Sequence, residues 1–101
     1  MKMNHELMKK ILLVCYNTPL QEFPIGNKKL EFEGFTWEEV AEHCQWLYEG
    51  KYIRSFSFVR EKVEKTYWRF FTFDFYERTG FTIGHLTLKG ERVCEAFSRT
   101  K

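Results

Sequence analysis

The sequence predicts one α+β domain over residues 1–101, with three helices and a small antiparallel sheet. Two observations support this class. The segment Thr36–Ile53 has the apolar spacing of an amphipathic helix that runs through a glycine into a β-strand. The region after it is rich in aromatic residues, which make up 19% of the chain and favour a sheet. Because the connections are short, the elements are expected to pack as one compact unit.

The central helix begins with a capping signal. Thr36 can accept a hydrogen bond from the first turn, and Glu39 three residues later completes a capping box. Gly50 can adopt the left-handed conformation that ends a helix. The apolar stripe of this helix consists of Trp37, Val40, Ala41, Cys44, Leu47 and Tyr48. The opposite face carries Glu39, Glu42, His43, Gln45, Trp46 and Glu49.

The segments before the central helix are shorter. Asn4 can cap a first helix from His5 to Tyr16. The two prolines and a glycine in Asn17–Gly26 predict a loop. Apolar and acidic residues alternate in Leu30–Phe35, which predicts a short strand leading into the central helix.

The segments after the central helix are predicted to form antiparallel strands and a last helix. In order, they are a strand Tyr52–Val59, a charged turn Arg60–Lys65, a return strand Thr66–Phe75, a second turn Glu77–Gly80, an extended piece Phe81–Leu86, and a helix Leu88–Phe97 capped by Thr87. Phe71, Phe73 and Phe75 are expected on one face of the return strand, and one face of the hairpin is expected to meet the core.

Charge is distributed unevenly although the net charge is only +2. Residues 1–50 hold 5 basic against 8 acidic residues, and residues 51–101 hold 11 basic against 6 acidic residues. The first half therefore has a net charge of −3 and the second half +5.

The sequence contains no apolar run long enough to span a bilayer, and its N-terminus lacks the features of a signal peptide. A cytoplasmic location without membrane contact is expected. The three cysteines, Cys15, Cys44 and Cys94, are widely separated and have no zinc-ligand spacing, so they are expected to be buried free thiols. No cofactor or metal is expected.

Two patterns in the sequence resemble winged-helix proteins. The stretch EEVAEHCQWLYEGKYI is similar to the recognition-helix segment of small winged regulators, and LTLKGERVCEAF (Leu86–Phe97) is similar to the segment that leads from the wing into their last helix. The chain most resembles an uncharacterised family of short bacterial and phage proteins of unknown function. The resemblance implies a winged-helix-like fold and no activity. This chain departs from the pattern in having an extended aromatic wing, which is longer and far more aromatic than usual. Lys51 stands where these proteins usually have a glycine.

DNA reading by the central helix is disfavoured by its charge. A recognition helix enters the major groove with its N-terminal residues, which here include Glu38, Glu39 and Glu42. The predicted wing could instead contact phosphates, or stack bases on its aromatic residues. The candidate nucleic-acid contacts are Arg54, Arg60, Lys62, Lys65 and Arg69. The alternative is a solvated hairpin tip in which Glu61 and Glu64 offset the lysines.

Contact with a protein is the preferred hypothesis. The return strand carries aromatic residues on both faces, but only one face of a hairpin can meet the core, so the surplus should be covered by another segment or another chain. The candidate partner-binding residues are Glu39, His43, Trp46, Trp68, Phe70 and Tyr76. Homodimerisation is included in this hypothesis, as is occupation of a host protein's surface by a phage or mobile-element protein.

Catalysis is not expected. The adjacent residues His43 and Cys44 would point about 100° apart on a helix and cannot pair. The sequence contains no glycine-rich phosphate loop and no nucleophile-elbow motif.

Overall fold

The computed structural model describes residues 3–99. In chain order these form helix α1 (His5–Asn17), a 3-10 turn (Leu20–Glu22), strand β1 (Ile25–Gly26), helix α2 (Trp37–Glu49), strand β2 (Phe56–Trp68), strand β3 (Phe71–Ile83) and helix α3 (Leu88–Arg99). Within this described part, the three α-helices and the small antiparallel sheet confirm the predicted α+β class.

Local capping signals set the starts of the first two long helices, as predicted. The side chain of Asn4 accepts a hydrogen bond from the backbone N–H of Leu7 at 3.1 Å. Thr36 and Glu39 form the full capping box, because each side chain accepts from the other residue's backbone N–H at 3.2 Å. Such a cap satisfies N–H groups that have no partner inside the helix.

The end of α2 differs from the prediction. Gly50 has a right-handed conformation with φ −79°, and the next residue, Lys51, adopts the left-handed conformation with φ +65°. The prediction for Gly50 is therefore wrong by one position. A Cβ at Gly50 would lie 2.9 Å from the ring of Tyr52, so a larger residue there would displace that ring.

The local sequence pattern Leu86-Thr87-x-x-Gly90 fastens the start of α3 to the chain segment after α2. The backbone N–H of Thr87 donates to the carbonyl of Tyr52 at 3.0 Å, and its hydroxyl donates to the carbonyl of Lys51 at 2.6 Å. The same hydroxyl accepts from the N–H of Gly90 at 3.2 Å. Gly90 has no Cβ, so its backbone can lie directly against the carbonyl of Tyr52.

The sheet has the strand order β1-β3-β2. Strand β1 pairs antiparallel with the end of β3, through Ile25 with Ile83 and Gly26 with Thr82. The predicted strand Leu30–Phe35 is wrong. Leu30 lies in a turn, and the segment after it turns again where Phe35 N–H donates to the carbonyl of Phe32 at 3.2 Å. The two phenylalanines pack against the core without joining the sheet.

The two turns predicted within the β-rich region are also wrong. Strands β2 and β3 form one ladder of paired residues from Phe56 with Ile83 to Trp68 with Phe71. The segments Arg60–Lys65 and Glu77–Gly80 lie within this ladder. The chain reverses only at Arg69, which has φ +51°, and Phe70. Two register shifts interrupt the ladder, leaving Thr79 unpaired on β3 and Val63 unpaired on β2.

The core lies between the three helices and the base of the hairpin. Its buried apolar side chains are Leu7, Ile11, Leu12, Cys15, Ile25, Leu30, Val40, Ala41, Cys44, Leu47, Ile53, Phe81, Ile83, Leu86 and Cys94. On β2 and β3, this burial stops at Phe58 and Gly80. We name the part of the hairpin beyond that level, residues 59–79, the arm.

The arm gives the molecule an elongated shape. The principal extents are 63 × 28 × 21 Å, and the radius of gyration is 16.6 Å. A compact chain of this length has a radius of gyration of about 13 Å. The predicted extension of the hairpin is therefore present as a projection from the helical body.

Candidate functional site

The arm exposes a concentrated set of large apolar side chains. Its exposed members are Val59, Val63, Tyr67, Trp68, Phe70, Phe71, Phe73, Phe75 and Tyr76. An isolated two-stranded hairpin is marginally stable in water, and exposed apolar patches of this kind mark interaction surfaces. The arm is therefore the candidate functional site.

One side of the arm is aromatic. Facing residues in an antiparallel ladder lie on the same side of the sheet, and Trp68 faces Phe71 while Thr66 faces Phe73 and Glu64 faces Phe75. The rings of Phe71 and Phe73 lie 6.5 Å apart along the strand. We name this side the aromatic face, defined by Trp68, Phe71, Phe73 and Phe75.

The other side of the arm is cationic. It is defined by Arg60, Lys62, Lys65 and Arg78, and it also carries Tyr67, Thr72, Asp74 and Tyr76. Lys62 forms a 2.9 Å ion pair with Asp74, and the ammonium of Lys65 lies 5.7 Å from the ring centre of Tyr67. We name this side the cationic face. Residues of opposite chemistry are thus separated onto the two sides of one hairpin.

The base of the cationic face meets helix α2. The guanidinium of Arg78 lies 4.1 Å from the ring centre of Phe58, a cation–π contact. A cleft lies between this base and α2, and its lining includes Glu38, Glu42 and Tyr76. The cationic face therefore continues into an acidic helix surface, whereas the aromatic face points to the opposite side.

The tip of the arm consists of Arg69 and Phe70. The side chain of Phe70 is 97% exposed. The guanidinium of Arg69 lies 5.0 Å from the ring centre of Trp68, which places its positive charge beside the end of the aromatic face.

The structure separates the predicted partner-binding residues into two groups. Trp68, Phe70 and Tyr76 lie exposed on the arm. The predicted place of His43 on an outward face is wrong, because His43 is only 1% exposed. The N–H of Asn4 donates to its Nε2 at 2.9 Å, so its Nδ1 carries the proton and donates to the carbonyl of Glu39 at 2.7 Å. These bonds tie α1 to α2.

Trp46 and Glu39 also belong to the helical body. The ring of Trp46 is half-buried and lies 4.9 Å from the ring of His43. The carboxylate of Glu39 is used by the capping box. Neither residue extends the surface of the arm.

The candidate nucleic-acid contacts are only partly brought together. Arg60, Lys62 and Lys65 share the cationic face. Arg69 lies at the tip, and Arg54 lies on the body, where its Nε donates to the carbonyl of Leu86 at 3.4 Å.

The three thiols lie in the core and not at a surface. Burial raises the pKa of Cys15 to about 12, with a further contribution from Cys94, and raises the pKa of Cys94 to about 11. The pKa of Cys44 is raised as well, mainly by burial. The expectation of buried free thiols is confirmed. Among residues 3–99, no cluster of His, Cys, Asp and Glu could hold a metal ion.

The residues that the sequence analysis missed are the phenylalanines of the aromatic face. Phe71, Phe73 and Phe75 were expected to share one face of the return strand but were not among the predicted partner-binding residues, and the core ends below them. The facing segment of β2 carried a signal that this side of the hairpin lies outside the core, because Glu64 and Thr66 are not core-forming residues.

Comparisons with protein-family models, with curated proteins and with solved structures give no match to this chain. Within the described residues, none of the helices combines the length and the apolar character needed to cross a bilayer.

Proposed function

We propose that this protein is a non-enzymatic, winged-helix-type interaction module that binds a protein partner through the aromatic face of its arm. The observation that carries the proposal is the stripe of Trp68, Phe71, Phe73 and Phe75, each about half exposed on a projecting hairpin. Aromatic residues are enriched at the centres of protein interfaces, where they supply much of the binding energy.

The charge of α2 supports a protein partner over duplex DNA. The first turns of this helix present Glu38 and Glu42 to solvent beside the base of the arm. Carboxylates at the end of a helix that would enter the major groove repel the phosphates on either side of it.

Site-specific photo-crosslinking tests the proposal. A benzophenone amino acid replaces Phe73 on the aromatic face or, as the matched control, Thr72 on the cationic face. The purified protein is irradiated alone and in cell lysate, and adducts are identified by mass spectrometry. We expect protein adducts at position 73 and far fewer at position 72, and Trp68→Ala should reduce those at position 73. Equal yields at the two positions, or none at either, would refute the proposed function.

The cationic face favours a second candidate function, contact with a nucleic-acid backbone. Its support is the placement of Arg60, Lys62 and Lys65 on one side of the arm. This candidate predicts a mobility shift of duplex DNA that weakens with salt and is lost in the triple alanine variant of these residues. Phe73→Ala would leave that shift unchanged. Absence of a shift at low salt would remove this candidate.

A further inference from the structure

We infer that the partner of the aromatic face is a second copy of this chain, and that two arms pack face to face and antiparallel about a twofold axis near Phe73. This inference rests on the proposed function, because it names the occupant of the same surface. Three features of the arm support it: its exposed area, its charge distribution and its shape.

The area of the aromatic face fits a small dimer interface. Trp68, Phe71, Phe73 and Phe75 are 56%, 60%, 48% and 51% exposed. Since an aromatic side chain buries about 150–250 Å², the four rings leave roughly 400 Å² of surface on each copy. Two copies would bury about 800 Å² of ring surface, and the flanking residues bring the total near the ~1,000 Å² expected of a specific interface.

The charges at the two ends of the aromatic face are complementary under a twofold axis. Glu61 and Glu77 face each other across the ladder at the base of this side, so two like charges lie together there. At the other end lies Arg69, stacked beside Trp68. In an antiparallel arrangement, Arg69 at the tip of each arm would lie over Glu61 and Glu77 at the base of the other arm.

The spacing along the strand allows this match. Since Trp68 faces Phe71, Arg69 in the turn lies about level with Phe70, three residues from Phe73, and Glu77 lies four residues from Phe73 on the other side. At about 3.3 Å per residue, the two charges lie roughly 10 Å and roughly 13 Å from the proposed axis. A surface whose apolar centre has opposite charges at similar distances on either side is complementary to itself, which is what an isologous dimer requires. An unrelated partner would not demand that symmetry.

The proposed packing also leaves the arm better covered. Among residues 3–99 of the monomer, no third strand pairs with the hairpin beyond Phe58, because β1 pairs only with the last residues of β3. Stacking two hairpins makes a four-stranded sandwich with an aromatic interior and two outward cationic faces. Such a sandwich supplies the second layer that a two-stranded arm lacks.

Sedimentation equilibrium on the purified protein, from about 1 μM to about 1 mM, tests the inference because weak dimers dissociate in that range. The wild-type mass should rise from 12.3 kDa to twice that value. Phe73→Glu should remain monomeric over the whole range. The matched control Thr72→Glu places the same charge on the adjacent residue of the same strand but on the cationic face, and should dimerise like the wild type.

A charge exchange tests the antiparallel arrangement. Arg69→Glu and Glu77→Arg should each weaken dimerisation by about fivefold to tenfold, since each places like charges together twice per dimer. The double variant should recover to within about threefold of the wild type. Amide NMR spectra of every variant check that the helical core is intact, so loss of dimer is separated from loss of fold.

The results separate this inference from the proposed function. A wild-type chain that stays monomeric to 1 mM overturns the dimer, and adducts from position 73 to other proteins would then still support the proposed function. A dimer that survives Phe73→Glu overturns the inference, because its interface lies elsewhere. A double charge variant no tighter than the single variants overturns the antiparallel packing. Dimerisation lost in Phe73→Glu and recovered in the charge exchange establishes it.

Discussion

Replacing Gly90 by alanine should destabilise the protein, although alanine is the better helix former. A Cβ at this position would collide with the backbone carbonyl oxygen of Tyr52 and would lie 3.0 Å from Cδ2 of Leu86. The carbonyl cannot turn aside, because it accepts the backbone N–H of Thr87 at 3.0 Å. Helix α3 would therefore have to move away and lengthen the bonds that fasten its first turn.

The expected magnitude follows from two opposing contributions. Overpacking in a filled site typically costs about 1–3 kcal/mol. Replacing glycine by alanine within a helix stabilises the helix by up to about 1 kcal/mol. A net loss of about 1–2 kcal/mol is expected, which lowers the melting temperature by several degrees in a domain of this size, at roughly 4–8 °C per kcal/mol.

Urea unfolding followed by circular dichroism measures this loss. Glu95→Ala is the control, because Glu95 is an exposed residue of the same helix and its replacement should change stability by less than about 0.5 kcal/mol. A Gly90→Ala variant as stable as the wild type, or more stable, would show that the contact with Tyr52 is not tight enough to matter.

Three further predictions concern the cap, the thiols and the arm. Thr36→Ala removes the capping box and should cost about 1 kcal/mol in the same unfolding assay, whereas an unchanged midpoint would contradict the role of the cap. Cys15 has a pKa raised from 9.0 to about 12, so its contribution to stability is complete below pH 9 and is lost between pH 9 and about 12, at about 1.4 kcal/mol per pH unit. Unfolding midpoints at several alkaline pH values should fall less steeply with pH in Cys15→Ala than in the wild type, and equal slopes would refute this. Amides of residues 66–73 should exchange with deuterium much faster than those of Leu47 in dilute protein, and equal protection would contradict a free arm.

The helices could be predicted because their signals are local. Asn4, Thr36 and Thr87 each cap the helix that directly follows them in the sequence. The left-handed residue after α2 was misplaced by one position, because the choice between Gly50 and Lys51 depends on how Tyr52 packs behind them.

The hairpin could not be predicted to the same extent, because strand pairing is a long-range property. Charged residues from Arg60 to Lys65 have the composition of a turn, yet they continue the ladder and their side chains point into solvent. A charged strand without a buried face has the same composition as a loop, so composition does not distinguish the two. The true reversal at Arg69 and Phe70 carries neither glycine nor proline, so no local signal marked it.

The candidate site was predicted only in part. The surplus of aromatic residues was expected to be covered by another segment or another chain, and in the structure Trp68, Phe70 and Tyr76 are exposed. Which face meets the core depends on where the helical body ends, and the pattern of one strand does not contain that information. His43 was misplaced for a similar reason, since its burial depends on the start of α1, 39 residues away.

The unpaired residue Thr79 determines which side of the molecule the phenylalanines occupy. At the base of β3, the odd-numbered residues Phe81 and Ile83 point inward. The one extra residue reverses this alternation, so the odd-numbered rings farther out point away from α2. The unpaired Val63 reverses the alternation of side chains on β2 in the same way, so Lys62 and Lys65 both lie on the cationic face. These two unpaired residues therefore place the apolar rings on one surface of the arm and the positively charged side chains on the other.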